Sequence, residues 1–268
     1  MKLKIIAGPC VMEGSDSRWI VDVAGDLYDQ LHQYEDSIDF YFKVSWDKAN
    51  RTSIDSYRGV PFEDALERFR ILKLNNVNLK VMTDIHEAWH AQPFAGVVDM
   101  LQIPAFLCRQ TDMIKAAVQT GLPINIKKGQ FISPSEANAI FQKAVTAAAP
   151  PFVQNDIWIT ERGTFFGYNR LVVDIVGMYE MRELGVPLIF DCTHSAQLPG
   201  AKGSSSGGVR KAIPFLSHAV ASTGLVGGFF FETHPRPNEA LSDPATQLPL
   251  GEAGTFVEGL LEKYAGLL

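Results

Sequence analysis

At 268 residues, with 24 Lys and Arg against 30 Asp and Glu and a net charge of −6, the chain lacks the basic excess that a nucleic-acid-binding protein needs. The three cysteines, Cys10, Cys108 and Cys192, have no regular spacing and argue against a disulfide framework, and no run approaches the roughly 20 apolar residues that span a bilayer. A hydrophobic content of 46% and this length suit one α/β barrel as well as two smaller domains.

The first apolar run, LKIIAG (3–8), leads through Pro9 to Cys10. It is too short for a signal-peptide core, so a soluble, cytoplasmic protein without a membrane partner is expected. Ser15 to Gln33 follows with Trp19, Ile20, Val23, Leu27 and Leu31 at helical spacing. FYFKV (40–44) carries Lys43 near its end and opens into a long loop, 45–59. Phe62 to Leu74 is the next predicted helix, with Glu63 and Asp64 near its start, where the helix dipole favours them. LKVMTD (79–84) ends in Asp84, MLQIP (100–104) contains Gln102, and INIKK (124–128) ends in Lys127 and Lys128. Ser133 before Pro134 reads as an N-cap with proline at the first helical position. IWITER (157–162) ends in Arg162 and precedes a predicted helix from Leu171 to Leu184. PLIFDCTH (187–194) ends in His194, and a Gly- and Ser-rich loop (195–208) separates it from a helix over Val209 to Ser222. GGFFFETH (227–234) carries Glu232, a third long loop (234–250) follows, and Gly254 to Leu267 closes the chain.

Eight strand-length apolar runs separated by helix-length segments predict parallel strands with helical crossovers. The expected fold is therefore α/β, a single (β/α)8 TIM barrel over residues 1–268. In that fold the carboxyl ends of the strands converge on one face, which makes distant reactive residues neighbours and marks an enzyme.

Lys43, Lys48, Arg51, Lys127 and Arg162 all lie at or just after strand ends. A cation pointing into a barrel is costly unless an anion meets it. Each could pair with a nearby acid such as Asp47 or Glu161, but few acids are expected near these particular strand ends. The set thus points to a ligand with several negative charges, phosphate and carboxylate together. Strand alternation sends Lys127 and Lys128 to opposite sides, and Lys127 is taken as the one facing the ligand. Cys10, His194, Glu232 and Asp243 come from the first, seventh and eighth units, neighbours in a closed barrel. A thiolate, an imidazole and two carboxylates suit a divalent transition metal such as Zn²⁺, Fe²⁺ or Mn²⁺. His86 and His234 compete as ligands, whereas Cys108 and Cys192 read as structural.

The blocks AGPC (7–10), DKANRTS (47–53), TDIHE (83–87), QIPAFLCRQTD (102–112), NIKKGQF (125–131), ERGTFFGYNRLVVD (161–174), DCTHSAQLPG (191–200) and FFETHPRPNEALSDPATQLPL (230–250) span nearly the whole chain. Together they resemble the 3-deoxy-D-manno-octulosonate 8-phosphate synthase family. The resemblance implies condensation of phosphoenolpyruvate with arabinose 5-phosphate, releasing inorganic phosphate, in lipopolysaccharide biosynthesis. It implies that Lys127, Arg162 and the Ala105 N–H hold the phosphoenolpyruvate phosphate, and that Lys43, Ser45 and Lys48 hold its carboxylate. Asn50, Arg51 and Thr52 would hold the sugar phosphate, with Gln102 also binding substrate. Lys48, Asp84, His194 and Asp243 would stand closest to the chemistry. Phe106 and Arg109 would reach a neighbouring subunit's site, implying a homotetramer. Cys10, where a metal-independent class carries Asn, implies the metal-dependent class with Cys10, His194, Glu232 and Asp243 as ligands. Val44, Trp46 and Thr52 depart from the family's commonest residues. The nearest rival is 3-deoxy-D-arabino-heptulosonate 7-phosphate synthase acting on erythrose 4-phosphate, which shares AGPC but has a Lys-Pro-Arg-Thr type segment in place of KANR. A silent sugar phosphate sensor and a metal-dependent phosphatase are further rivals.

Overall fold

The computed structural model describes residues 2–51, 53–76, 78–148, 156–165, 170–199 and 207–265. Strands β1 (Leu3–Gly8), β2 (Ile38–Lys43), β3 (Lys80–Asp84), β4 (Met100–Ile103), β5 (Ile124–Lys127), β6 (Ile157–Glu161), β7 (Leu188–Asp191) and β8 (Gly228–His234) pair in parallel in chain order. β8 also pairs with β1, Gly228 opposite Lys4 and Glu232 opposite Gly8, so the sheet closes on itself. The result is the expected (β/α)8 barrel.

Helices α1 (Arg18–His32), α2 (Phe62–Asn75), α3 (Ala91–Ala95), α4 (Thr111–Gln119), α5 (Pro134–Ala147), α6 (Ile175–Glu183), α7 (Ile213–Ala221) and α8 (Ala253–Ala265) follow the strands in turn. α1 buries Ile20, Val23, Ala24, Leu27 and Leu31, the stripe that its spacing predicts. Ser133 caps α5 reciprocally with Glu136. The helix expected from Leu171 starts only at Ile175. Leu171–Val172 instead forms a short antiparallel pair with Thr164–Phe165, and the Asp174 carboxylate accepts from Gly177 N at 2.9 Å to start the helix. Parts of the long loops are also regular. Lys48 N donates to Arg58 O (2.6 Å), and Leu248–Pro249 adds a short parallel pairing to β8.

Strand alternation divides the barrel's side chains cleanly. Outward residues such as Ile5, Phe42, Val81, Leu101, Ile126, Phe190 and Phe231 belong to the apolar layer shared with the helices. Inward residues stack in tiers. Lys4 and Lys80 pair with Asp39 at the amino end, at 2.6 and 2.5 Å. An apolar tier of Ile6, Tyr41, Met82, Met100, Trp158, Ile189 and Phe230 fills the middle. Lys43, Asp84, Gln102, Lys127, Asp191 and Glu232, all buried, form the carboxyl-end tier. That last tier is polar because it floors the site.

Gly8 matters at the β1–β2 seam, since a Cβ there would lie 2.1 Å from the Lys43 carbonyl oxygen. Gly8→Ala is therefore expected to lower the unfolding free energy by about 2 kcal/mol. Urea unfolding measures it as a lower midpoint at constant m-value, and an unchanged midpoint would show that the β1–β2 seam yields.

Candidate active site

The carboxyl ends of the strands surround a cavity of about 690 Å³. Lys43, Lys48, Asn50, Arg51, Asp84, Gln102, Ala105, Phe106, Lys127, Arg162, His194, Glu232 and Asp243 line it. The remaining residues singled out in the sequence stand elsewhere. Ser45 is fully buried behind the wall, where its hydroxyl accepts from Lys43 Nζ and donates to Asp84 Oδ2, both at 2.6 Å. Cys10 is fully buried and meets the cavity residue Asp243 through its thiol, Sγ to Oδ2 3.1 Å. Arg109 lies outside, its side chain 66% exposed and 3.6 Å from Glu136. Thr52 falls outside the described residues.

The expectation that few acids meet the strand-end cations is overturned. Lys43 lies 3.6 Å from Asp84 and 3.9 Å from Glu232, and Lys48 lies 3.7 Å from Glu232. Arg51 approaches Asp243 at 3.8 Å, Lys127 donates to Asp191, and Lys128 pairs with Glu161 at 3.1 Å, away from the cavity. These acids are distant in sequence and become neighbours only through barrel closure. Arg162 is the exception. Its buried guanidinium donates to the neutral Gln197 Oε1 at 2.8 Å and forms no ion pair with a described carboxylate.

Burial pulls the Lys127 ammonium down to about 8, which Asp191 only partly offsets and which Lys43 and Arg162 reinforce. Burial likewise lowers Arg162. For Asp84, burial works upward, yet Lys43 and Lys48 hold the carboxyl well below the usual carboxylate range. Asp191 is held low in the same way by His194 and Lys127. The cavity thus contains ionised acids and cations whose charge is incompletely matched at the Lys127–Arg162 end. That end can hold an anion.

At the opposite end, ligand atoms of Cys10, Glu232 and Asp243 all lie within 4.8 Å of one another. Glu232 is 1% exposed and accepts no hydrogen bond from a described residue. Its Oε1 is instead ringed by Lys48 and His194 at 3.7 Å and Lys43 at 3.9 Å. A buried carboxylate without a hydrogen bond, beside a thiol and a second carboxylate, fits a divalent transition metal. His194 is outside this trio. Its Nδ1 lies 2.7 Å from Asp191 Oδ2 and its Nε2 faces Glu232. Burial raises the Cys10 thiol far above its ordinary range, with Glu232 adding to the effect, so a bound cation would have to displace its proton. Asp243 is the only non-glycine at positive φ (48°) among the described residues, a conformation that sets its carboxylate over Cys10. His86 lines the cavity, whereas His234 is engaged by Glu13 (3.4 Å) and Arg236 N (3.0 Å). Cys108 and Cys192 are buried free thiols.

Residues 1–265 match the model of the DAHP synthetase I family. The chain belongs to that family. A Cupriavidus necator protein named 2-dehydro-3-deoxyphosphooctonate aldolase is 46% identical, covering 98% of this chain and 91% of its own length. Proteins of the same name from Cyanothece sp. and Burkholderia mallei are each 45% identical over 96% of this chain, and over 90% and 89% of their own lengths. For a DAHP synthetase I family member, Trp46 is informative. Its indole N–H donates to the Asp84 carbonyl oxygen at 3.1 Å, a bond that Phe cannot make. Its ring packs on Phe62, His86, His90 and Phe94, behind the cavity wall. Asp191, Gln197 and Ser242 were missed in the sequence. Asp191 ends its strand in DCTH as Asp84 and Lys127 end theirs, three residues before His194. Ser242 accepts from Arg51 and lies 2.9 Å from Cys10 Sγ, and only its place beside Asp243 hinted at a role.

Because the lowered Lys127 ammonium loses its charge as pH rises through about 8, affinity for inorganic phosphate should fall between pH 7.5 and 9.5. Calorimetric titration across that range tests it, with Lys127→Arg expected to flatten the fall. A flat wild-type profile would place the phosphate grip elsewhere.

Proposed function

We propose that this chain condenses phosphoenolpyruvate with D-arabinose 5-phosphate and water, giving 3-deoxy-D-manno-octulosonate 8-phosphate and inorganic phosphate. The observation that carries the reading is the buried Arg162 guanidinium without a carboxylate partner among the described residues, beside Lys127, in the same cavity as a second basic group at Arg51. Two phosphates and a carboxylate match such separated cationic positions. The name shared by relatives at 45–46% identity over nearly the whole chain favours the octulosonate product over the heptulosonate one.

In this reading Lys127, Arg162 and the Ala105 N–H bind the phosphoenolpyruvate phosphate, and Lys43 and Lys48 bind its carboxylate. Ser45 acts from behind, orienting Lys43 and Asp84 through its two hydrogen bonds. Asn50 and Arg51, with Thr52, bind the sugar phosphate, leaving its aldehyde toward Asp84, Gln102 and His194. Carbon 3 of phosphoenolpyruvate attacks the aldehyde carbon, water adds at carbon 2, and the phosphohemiketal loses phosphate by C–O cleavage. Holding both anions in one cavity overcomes their mutual repulsion, and Lys127 and Arg162 stabilise the charge that grows on the departing phosphate. Asp84, kept ionised by Lys43 and Lys48, is an acceptor suited to a substrate hydroxyl or to the attacking water. Cys10, His194, Glu232 and Asp243 would hold a divalent transition metal, which supplies Lewis acidity and orientation for a substrate oxygen when bound. The half-exposed Phe106 and the outward Arg109 are suited to a neighbouring subunit's site, in keeping with a homotetramer. No helix among the described residues is long and apolar enough to cross a membrane, and a cytoplasmic enzyme fits the water-soluble substrates.

Phosphate release should be rapid with phosphoenolpyruvate plus arabinose 5-phosphate and slow with erythrose 4-phosphate. The reverse preference would assign the heptulosonate reaction, and release without any aldehyde would mark a phosphatase. Cys10→Ala should lose most bound metal by elemental analysis and at least tenfold in turnover; full activity of wild-type protein after chelation would sink the metal-dependent reading.

A further inference from the structure

Hydrogen bonds run through the barrel interior across four consecutive strands, beneath the cavity wall. Thr160 Oγ1 on β6 donates to Asn125 Oδ1 on β5 at 2.6 Å. Asn125 Nδ2 donates to Gln102 Oε1 on β4 at 2.9 Å. Gln102 Nε2 donates to Asp84 Oδ1 on β3 at 2.6 Å, and the other Asp84 oxygen accepts from Ser45. Thr160 and Asn125 are fully buried, and neither is among the residues lining the cavity.

Only one direction of this chain is self-consistent. An ionised Asp84 can accept but not donate, so Gln102 must turn its NH₂ toward it. That leaves the Gln102 oxygen to Asn125, which must then offer its own NH₂. The Asn125 oxygen in turn requires a donor, and the Thr160 hydroxyl is one. Reversing any amide would set two oxygens or two NH₂ groups against each other at hydrogen-bond distance within a buried tier. The Gln102 amide nitrogen has a second N–H, and Gln102 lines the cavity. The wall therefore presents a donor at Gln102 next to an acceptor at Asp84.

We propose that Asn125 and Thr160 are positioning residues that, acting through Gln102, keep this donor–acceptor pair aimed at the aldehyde substrate. The pair suits a carbonyl oxygen beside a hydroxyl, as on an open-chain sugar, whereas the enolpyruvate's anionic groups call for the cations instead. The identity of that substrate rests on the condensation proposed above; the relay itself does not.

Thr160→Val removes the hydroxyl at nearly constant volume, and Thr160→Ser keeps it. The valine variant should raise the KM for arabinose 5-phosphate roughly tenfold, as expected for a disordered buried amide chain, with the KM for phosphoenolpyruvate within about twofold of wild type. The serine variant should restore both. Asn125→Ala breaks the relay one link nearer and should show the same split, which guards against a valine protein that does not fold. Unchanged constants in both broken variants would overturn the proposal, as would equal rises in both KM values accompanying a lower melting temperature. If the wild-type protein released no phosphate at all, the proposed reaction would fall while the relay stayed open to decision by crystallography of Thr160→Val. Gln102 displaced from Asp84 would sustain it, and Gln102 in its wild-type position would refute it.

Discussion

Moving an ammonium or guanidinium from water into a protein interior costs several kcal/mol even after relaxation, and the upper tier of this barrel contains Lys43, Lys48, Lys127 and Arg162, all buried. The other features of the site follow from how that cost is met. Asp84, Glu232 and Asp191, equally buried, lie beside the three lysines and are held ionised there. Lys43 and Lys48 each act on both Asp84 and Glu232, so these pairs form a network and not isolated bridges. Arg162 falls outside that balance, since among the described residues it donates to the Gln197 amide and pairs with no carboxylate. The incompletely matched charge of Arg162 and Lys127 suits this end of the cavity to an anion.

The same accounting explains the other end. Glu232 is buried among two lysines and an imidazole, at distances too long for hydrogen bonds. The Cys10 thiol and the Asp243 carboxylate lie beside it, ligand atoms of all three within 4.8 Å of one another. Asp243 reaches it from a positive-φ position in a loop that Leu248–Pro249 ties back to β8. Backbone cost and charge burial are thus concentrated where the cavity floor meets the last long loop, as is common at sites of chemistry.

Between these ends the wall is neutral and directional. The amides of Gln102 and Asn125 carry no charge, yet the ionised Asp84 at one terminus and the Thr160 hydroxyl at the other orient both. Trp46 adds a tie of its own to the Asp84 main chain. Asp84 therefore joins the neutral relay to the charged network, receiving Gln102 on one oxygen and Ser45 on the other.

Much of the barrel was already present in the one-dimensional pattern. Period-two alternation places Ile5, Phe42 and Ile126 outward and Lys43, Asp84 and Lys127 inward whatever else the chain does, because successive side chains on a strand leave opposite faces. The same rule separates Lys127 from Lys128. Local chemistry also wrote the caps, as at Ser133 and Glu136. The helix start at Ile175 was hidden, since Leu171 and Val172 have the apolar character of either element and only pairing with Thr164–Phe165 decided between them. Partner identities were hidden more deeply. That Lys127 meets Asp191, Lys43 meets Asp84, and Thr160 reaches Gln102 through Asn125 depends on strand register and on closure of β8 against β1. Those are relations among residues dozens of positions apart, and no local propensity encodes them. Sequence alone determined which side chains face the interior; tertiary structure alone decided which of their charges would find one another and which would be left for a ligand.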